Sequence, residues 1–309
     1  MAQDDIARLE SWSAGDRIPE NHYARMRANP FYPKAVRALA ANMMAAGESE
    51  KALDGIFKDA GRYLAAMWAM YLHVSGGLTL PRLKEICAAS GYLSPGRARA
   101  LLLYMRYLGY VTPVPGRAHG ETARYEPTAT FSAAWRMHLR AALDAACIIE
   151  PAVGLVLDRL DERAVLDSIS RIHGDGLLAS ARDSDQSAPF VRVFMHRHAG
   201  LQILWTLILA DEHDTFPPRK PMAFSIASTA RRFGVSRIHV RRLLDEAMCE
   251  NLLICEQDGT VTFTESARSM LELLYATQLI RLLSASARTL AELPEFQPMP
   301  DMQLAAAGA

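Results

Sequence analysis

The stretch from Ser225 to Thr264 decides the fold, and it divides into four parts: SIASTARRF (225–233), GVS (234–236), RIHVRRLLDEAMCENLL (237–253) and ICEQDGTVTFT (254–264). Gly234 permits the positive φ of a tight turn between two helices, and Ser236 can cap the second helix. Asn251 can end that helix in the left-handed region. Asp258-Gly259 indicates a type I′ hairpin between two short β-prone runs. The stretch therefore predicts two helices followed by a β-hairpin.

Apolar residues at helical spacing allow the two predicted helices to pack against each other. Val235, Val240 and Leu243 supply the buried positions, and Ala230 is the small residue that faces the second helix. The exposed face of the second helix is left with arginines and a histidine. A helix pair of this kind followed by a hairpin is the winged helix-turn-helix arrangement, in which the second helix reads DNA.

A second, more degenerate copy of the pattern occupies residues 79–128. Its turn glycine, capping serine and terminating residue are Gly91, Ser94 and Gly109, in the places of Gly234, Ser236 and Asn251. Each copy follows a helix that contains a tryptophan and precedes a long apolar-periodic helix. These flanking features are Trp68 and Trp205, and the capping residues Thr128 and Thr264. The order of elements is therefore repeated, with a longer hairpin in the first copy.

The predicted fold class is mainly α, with two winged helix-turn-helix domains, each a three-helix core plus a β-hairpin wing, joined and flanked by long helices. The predicted divisions are a helical extension (1–55), a first winged-helix domain with its long helix (56–150), a helical linker (151–195), a second winged-helix domain with its long helix (196–293) and a flexible tail (294–309). Within them, residues 153–167 are predicted to form an amphipathic helix and residues 174–188 a polar linker, with a turn at 173–176. The first twenty residues are poor in packing signals and are predicted to be mobile.

The composition is that of a soluble chain without net charge. Its 309 residues hold 34 Lys and Arg, 34 Asp and Glu, and four cysteines without CxxC spacing, which favours reduced thiols. The apolar runs are shorter than a membrane span, and the N-terminus lacks the apolar segment of a signal peptide. We expect a cytoplasmic, nucleoid-associated protein with no membrane partner.

Charge is segregated locally although the total is zero. Residues 86–120 include no Asp or Glu, and neither do residues 225–244, which hold five arginines. The acidic residues of the second copy, Asp245, Glu246 and Glu250, come later on its second helix. Because the N-terminal end of a helix is the positive end of its dipole, this polarity suits insertion into a DNA groove.

The candidate DNA-binding residues lie on the second helix of each copy and on the first hairpin. We expect Arg237 and Arg241, which share a helix face, to contact base edges. Ser236, His239 and Arg242 are expected near phosphates. The candidates of the first copy are Ser94, Arg97, Arg99, Arg117, His119 and Arg124. Its second helix begins with Pro95-Gly96 and therefore has fewer polar side chains at its N-terminal end. Weaker base readout is expected there.

The order of elements is similar to that of MarR-type regulators and of winged-helix transcription factors generally. The resemblance covers about residues 62–149 and 201–290 and rests on the turn residues and hairpins quoted above. In that family, two identical chains pair through their terminal helices and present two recognition helices to one pseudo-palindromic site. This chain departs from the family because it carries two unequal modules itself. The resemblance then implies a pseudo-dimer with reading helices roughly 34 Å apart and an asymmetric operator.

The main hypothesis is a transcriptional regulator that binds double-stranded DNA and is not an enzyme. A plasmid-type replication initiator and a protein-interaction scaffold of the chromosome-partition type, both with tandem winged helices, are the alternatives. A homodimer remains open, and so does a small-molecule effector in a cleft lined by Trp68, Trp205 and methionines. The sequence has no catalytic or cofactor motif. Residues 196–198 and 211–214 have the composition of metal ligands but lack a second ligand pair at suitable spacing, so no metal is expected.

Overall fold

The computed structural model describes residues 2–50, 55, 59–115, 121–183, 188–211 and 215–293. Within these ranges the chain is mainly helical, with two small antiparallel sheets, so the mainly α prediction is confirmed at that level. None of the helices described there is long and apolar enough to cross a membrane. The proposed tail, 294–309, lies outside the described residues.

Three helices open the chain: α1 (Ala2–Glu10), α2 (Glu20–Ala28) and α3 (Tyr32–Ser49). The prediction that the first twenty residues are mobile is wrong. Leu9 and Trp12 are buried, and the Ala14 amide donates to Ser284 Oγ at 2.9 Å. Arg281 also donates from Nη1 to the Gly15 carbonyl oxygen at 2.5 Å. A few large apolar residues and these distant bonds hold the segment.

The first module comprises residues 60–147. Its elements are α4 (Ala60–Val74), β1 (Leu78–Thr79), α5 (Leu80–Ala89), α6 (Pro95–Tyr107), β2 (Val111–Pro113), β3 (Arg124–Pro127) and α7 (Ala129–Cys147). The strands form an antiparallel sheet in the order β1-β3-β2. Two predicted caps are present: Ser94 Oγ accepts from the Arg97 amide at 3.3 Å, and Thr128 Oγ1 accepts from the Phe131 amide at 3.4 Å.

The segment between the modules is mostly helical. It consists of a 3₁₀ turn (Pro151–Val153), α8 (Gly154–Leu157), α9 (Arg163–Asp183) and a π-helical turn (Val191–Met195). The continuous helix predicted for 153–167 is wrong, because the chain turns between α8 and α9. There Leu160 is buried, while Asp161 lies 3.4 Å from Arg136 Nε and 3.5 Å from Arg140 Nη2 on α7.

The polar linker predicted for 174–188 is also wrong, as is the turn at 173–176, because α9 continues to Asp183. The two glycines that suggested a break are packing positions. A Cβ on Gly174 would lie 2.5 Å from Tyr71 Cδ2, and a Cβ on Gly176 would lie 3.1 Å from Arg281 Cδ. Glycine is therefore used inside this helix for the close approach of α4 on one side and of the long C-terminal helix on the other.

The second module comprises residues 200–292. Its elements are α10 (Gly200–Leu209), β4 (Met222–Ala223), α11 (Ile226–Arg232), α12 (Arg237–Cys249), β5 (Leu253–Cys255), β6 (Thr260–Phe263) and α13 (Glu265–Glu292). The sheet order is β4-β6-β5, which repeats the β1-β3-β2 order of the first module. Trp68 on α4 and Trp205 on α10 are both buried, as expected for core residues.

The backbone details of the repeat agree with the predicted signals. The left-handed residues are Gly91 (φ 74°), Gly109 (φ 72°), Gly234 (φ 63°) and Asn251 (φ 54°). Thr128 Oγ1 donates to the Gly109 carbonyl oxygen and Thr264 Oγ1 to the Asn251 carbonyl oxygen, each at 2.7 Å. Each threonine therefore caps a long helix and also ties it to the end of the second helix of its module.

The second hairpin differs from the predicted type I′ turn. The Gly259 amide donates to the Glu256 carbonyl oxygen at 3.1 Å, and the Glu256 amide donates to the Thr260 carbonyl oxygen at 2.9 Å. Gly259 has φ 84°, whereas Asp258 is not at positive φ. A type I′ turn needs positive φ at both central residues, so this connection is a three-residue loop that ends on a left-handed glycine.

Candidate nucleic-acid interface

The turn between α11 and α12 fixes the tip of α12. The Val235 amide donates to the Ala230 carbonyl oxygen at 3.0 Å across Gly234. Ser236 then adopts an extended conformation, and its Oγ accepts from the His239 amide at 3.0 Å. The hydroxyl of Ser236 thus satisfies a free N–H group of the first turn, and the N-terminal end of α12 is left at the protein surface.

The arginines of α12 form an unpaired basic face. Arg237, Arg241 and Arg242 are exposed, and none of them makes an ion pair with any residue in the described ranges. Arg237 and Arg241 lie one helical turn apart, so their side chains share a face. Ile238, whose side chain is 64% exposed, lies beside them. The helix therefore presents guanidinium groups and one apolar side chain at its N-terminal half.

Two acidic residues near the C-terminal end of α12 are paired with the segment that precedes α10. Arg197 pairs with Glu246, and Arg192 pairs with Glu250. These bonds attach this end of α12 to residues 192–197 and offset two negative charges. The third acidic residue, Asp245, is exposed one turn after Arg241, so the excess of positive charge lies on the first turn and a half of the helix. Arg232 on α11 is different, because it pairs with Glu48 of α3 at 2.8 Å.

His239 ties the tip of α12 to the segment before α10. Its ring is half-buried, and its Nε2 lies 2.7 Å from the carbonyl oxygen of His198, which requires Nε2 to donate. The phosphate contact that the sequence predicts for His239 stays a prediction, since the residue also lines a cleft next to Arg242. The bond to His198 holds α12 against the loop at 196–199. A sequence pattern does not show this contact, since it joins residues 41 positions apart.

A small cleft lies beside the tip of α12. It encloses about 230 Å³ and is lined by Arg197, Ser236, Ile238, His239, Arg242 and Leu243. Arg242 is the unpaired cation of the group, since Arg197 already pairs with Glu246. The cleft therefore joins a free guanidinium to the positive end of a helix dipole, a combination suited to an anion.

The second helix of the first module is also basic at its tip but apolar further along. Arg97, Arg99 and Arg106 are exposed, and none makes an ion pair within the part of the chain that the structure describes. The C-terminal half of the helix, which includes Arg106, also carries a group that we call the apolar stripe. It consists of Leu103 (49% exposed), Tyr104 (39%) and Tyr107 (85%). Exposed apolar residues grouped in this way mark contact surfaces for other molecules more often than a groove-reading face.

Of the three candidate residues on the first hairpin, only Arg124 lies within the described residues. Arg117 and His119 lie outside the described residues. Arg124 begins β3, where it pairs in register with Thr79. Its guanidinium covers the turn before β1, since a Cβ on Gly77 would meet Arg124 Nη2 at 2.5 Å. The guanidinium of Arg124 therefore lies at the turn before β1, while its carbonyl oxygen accepts from the Val114 amide at 3.0 Å at the base of the β2–β3 connection.

One short segment separates the tips of the two second helices. The Tyr92 ring, in the turn before α6, lies 5.5 Å from the His196 ring, and His198 accepts the bond from His239 at the tip of α12. Burial lowers the pKa of His196, and the nearby charge of Arg97 lowers it further. Residues 196 to 198 span at most about 7 Å. These contacts are too short to hold the two tips the roughly 34 Å apart that successive major grooves require.

Comparisons of the chain with protein-family models, with curated proteins and with solved structures found no match. Within the described residues, no group of three or more His, Cys, Asp or Glu side chains could hold a metal ion. Glu212, His213 and Asp214 lie outside those residues. The exposed faces of α6 and α12 remain the candidate binding surfaces of the described chain.

Proposed function

We propose that this chain is a transcriptional regulator that binds double-stranded DNA sequence-specifically, and that α12 is its reading helix. The observation that carries the proposal is the exposed trio Arg237, Arg241 and Arg242, unpaired with any described residue, at the N-terminal half of a capped helix. The neighbouring acids Glu246 and Glu250 already have partners. A helix of this kind enters a phosphate-lined groove with its positively charged N-terminal end first.

We further propose that both modules are winged helix-turn-helix domains of a MarR-like kind. Support comes from the repeated order of helix, strand, helix, turn, helix and hairpin, and from the same strand order in both sheets. In such a domain the second helix of the pair enters the major groove. On this assignment the fold places α12 in the major groove, and the side chains of α12 determine which DNA it binds.

The side chains of α12 divide between base contacts and phosphate contacts. Arg237 and Arg241 share a face and would each suit a guanine edge, at about 1–3 kcal/mol of discrimination for a good bidentate pair. Ile238 offers an apolar contact to a thymine methyl group. Arg242 borders the cleft beside Ser236 and would hold a phosphate there, which adds affinity without sequence preference.

The first module is better suited to assembly than to a second groove contact. Its apolar stripe lies on the helix that corresponds to α12, and the tips of the two helices flank the same three-residue segment. We propose that two chains pair through the first module and that each supplies one α12. A homodimer of this kind would provide two reading helices, which the single chain does not space for successive grooves.

A protein-interaction scaffold is the second candidate function, and the apolar stripe is the observation that favours it. An exposed tyrosine such as Tyr107 is typical of the centre of a protein interface. On this alternative the protein binds a partner protein through α6 and binds DNA weakly at physiological salt.

The proposal is tested by selecting genomic DNA fragments with the purified full chain at physiological salt, followed by footprinting. We expect one enriched motif and a single protected site. Regular protected repeats would favour the replication initiator instead. If no fragment is enriched while a protein partner is captured through α6, the scaffold is the correct function and the regulator proposal fails.

A further inference from the structure

The solvent-exposed side of α6 is apolar along the whole length of the helix. Four exposed residues, spaced four, three and four positions apart, lie on this side: Gly96, Ala100, Leu103 and Tyr107. The buried residues of the helix lie on the opposite side: Ala98, Leu101, Leu102 and Met105. Spacing of this kind is that of a seam between two packed helices. We call the four exposed residues the pairing face.

The residues of the pairing face are ordered by size. The small residues Gly96 and Ala100 lie toward the N-terminal end of α6, and the large residues Leu103 and Tyr107 lie toward its C-terminal end. The space over Gly96 is open, since a Cβ there would meet no atom nearer than Ser94 Oγ at 4.0 Å. One end of the face therefore has room for a large side chain, and the other end provides one.

We infer that this face binds a second copy of the chain, with the two α6 helices packed antiparallel about a two-fold axis. The axis lies midway between Ala100 and Leu103, which is also midway between Gly96 and Tyr107. Tyr107 of each chain then packs over Gly96 of the other, and Leu103 over Ala100. A two-fold interface requires self-complementarity of this kind. Parallel packing would instead set Tyr107 against Tyr107 and leave a gap between the glycines.

The long helices are covered within the chain and leave α6 as the exposed helical surface of the first module. From Leu279 to Leu290 every residue of α13 except Arg288 is buried, and α7 packs against α3. An antiparallel pair of α6 helices therefore uses a helix that the fold leaves exposed, rather than one that the fold has already buried.

The charge beside the pairing face gives the pair a distinctive response to salt. Arg99 and Arg106 lie along one edge of the face, and neither makes an ion pair with a described residue. In a two-fold antiparallel pair, symmetry places both copies of this edge on the same side, so four guanidinium groups repel each other there. Salt screens that repulsion. We therefore expect association to strengthen with salt, and this dependence to be lost in Arg99→Ala combined with Arg106→Ala.

The use of this pair on DNA rests on the proposed function. The N-terminal tips of the two α6 helices would lie at opposite ends of the pair, about 20 Å apart along the helix axis. Each α12 follows its own α6 tip across residues 196–198, so the same two-fold axis relates the two α12 helices. The selected DNA motif should therefore be an inverted repeat.

Disulfide cross-linking tests the orientation in the DNA-free protein. Cys249, the exposed native cysteine, is first replaced by serine. Gly96→Cys and Tyr107→Cys are then placed in separate chains, which are oxidised alone and as a mixture. In the antiparallel pair these two positions face each other, whereas two copies of one variant hold their thiols about 16 Å apart along the helix axis, too far for a disulfide.

We expect covalent dimers from the mixture only. Covalent dimers from Tyr107→Cys alone, or none from the mixture, would overturn the antiparallel arrangement. A parent chain that stays monomeric at every concentration would assign the face to a different protein and overturn the pairing itself.

A charge pair measures the same contact by sedimentation velocity. Gly96→Glu fits the single chain, because the space over Gly96 is open. Gly96→Glu and Tyr107→Lys should each weaken dimerisation about tenfold, since each places an unpaired charge in the interface. Combined in one chain, they should restore dimerisation to within about threefold, because opposite charges then meet at both ends of the pair. Gly96→Gln combined with Tyr107→Lys is the matched control of the same size and should stay weak. Equal dimerisation by the two double variants would contradict the contact.

The DNA consequence is measured separately, with the fragments selected by the parent chain. If the cross-linked pair forms as expected but the selected motif is not an inverted repeat, the pairing stands and its role on DNA is refuted. If no DNA sequence is selected at all, the proposed function fails, while cross-linking of the DNA-free protein still decides the pairing.

Discussion

Helices α6 and α12 follow the same kind of turn and the same serine cap, yet they present different chemistry to solvent. On α12, the exposed arginines Arg237, Arg241 and Arg242 are unpaired within the described chain, and Glu246 and Glu250 behind them have partners. On α6, the basic tip gives way to the apolar stripe, in which Tyr107 is 85% exposed. The same turn, cap and helix are therefore present twice, whereas an exposed helix face that carries arginines without the apolar stripe is present once.

The difference shows that the turn signals and the surface residues carry separate information. A glycine and a serine at the right spacing place a helix, and they do so in both modules. Which molecule that helix contacts depends on the charges that remain unpaired after folding. Each prediction below contrasts equivalent parts of the two modules, or the helix that packs between them.

The largest expected effect is on operator affinity. Arg237→Ala combined with Arg241→Ala should weaken binding at least about 100-fold, because two base contacts are lost. Arg97→Ala combined with Arg99→Ala is the matched control and should change affinity less than about threefold. Mobility-shift titrations at one fixed salt concentration measure both. Equal losses in the two double variants would contradict the unequal roles of the modules.

The next prediction concerns α9, which packs on both modules. Gly174→Ala should lower the free energy of unfolding by about 1–3 kcal/mol, because the new Cβ would overlap Tyr71 of the first module. Gly154→Ala is the control. A Cβ there meets nothing within 4 Å, so we expect a gain of about 0.4–1 kcal/mol. Chemical denaturation of both variants gives the comparison, and similar losses would show that Gly174 is not a packing position.

The long helices differ in their response to pH. Burial lowers the pKa of His138 on α7 to about 3, whereas the equivalent residue of α13 is Leu274. The unfolded histidine has a pKa near 6.5, so below that pH the unfolded state binds the additional proton and stability falls. Each buried neutral histidine contributes a slope of up to about 1.4 kcal/mol per pH unit between its two pKa values.

His138→Leu, which copies the α13 residue into α7, should therefore reduce the loss of stability between pH 6.5 and pH 4. A slope should remain because burial also lowers the pKa of His173 to about 4. Denaturation at a series of pH values measures the slope. An unchanged slope in the variant would mean that His138 is protonated at a similar pH in the folded and unfolded states.

A smaller effect is expected on self-association. Tyr107→Lys places a charge in the apolar stripe and should weaken dimerisation about tenfold, since an interface loses apolar burial and gains an unpaired charge. Met248→Lys is the control, because Met248 is an exposed residue on the corresponding half of α12. Sedimentation velocity over a range of concentrations measures both. Association that is unaffected by Tyr107→Lys would exclude the stripe as the dimer contact.

The features that the sequence predicts correctly are local ones. Ser94, Ser236, Thr128 and Thr264 cap helices, and Asn251 adopts the left-handed conformation, because each outcome depends on a residue type and its immediate neighbours. The element order of both modules follows from these signals.

The wrong predictions concern residues whose role depends on distant partners. Gly174 and Gly176 resemble helix breakers in sequence, but Tyr71 and Arg281 approach them in the folded chain. The bond from His239 to the His198 carbonyl is likewise absent from any local sequence pattern, because it joins residues far apart in the chain. The N-terminal segment is held by a long helix far along the chain, which provides Ser284. The sequence does not show the apolar stripe either, since the exposure of Leu103, Tyr104 and Tyr107 is a property of the fold.

The central claim is that α12 reads bases and α6 does not, and an altered-specificity selection tests it most directly. The selection of DNA fragments is repeated with Arg241→Gln and with Arg99→Gln. Arginine favours guanine and glutamine favours adenine in the major groove. We predict that Arg241→Gln changes the preferred base at one position of the motif and that Arg99→Gln leaves the motif unchanged. An unchanged motif with Arg241→Gln, or a changed one with Arg99→Gln, would contradict the account.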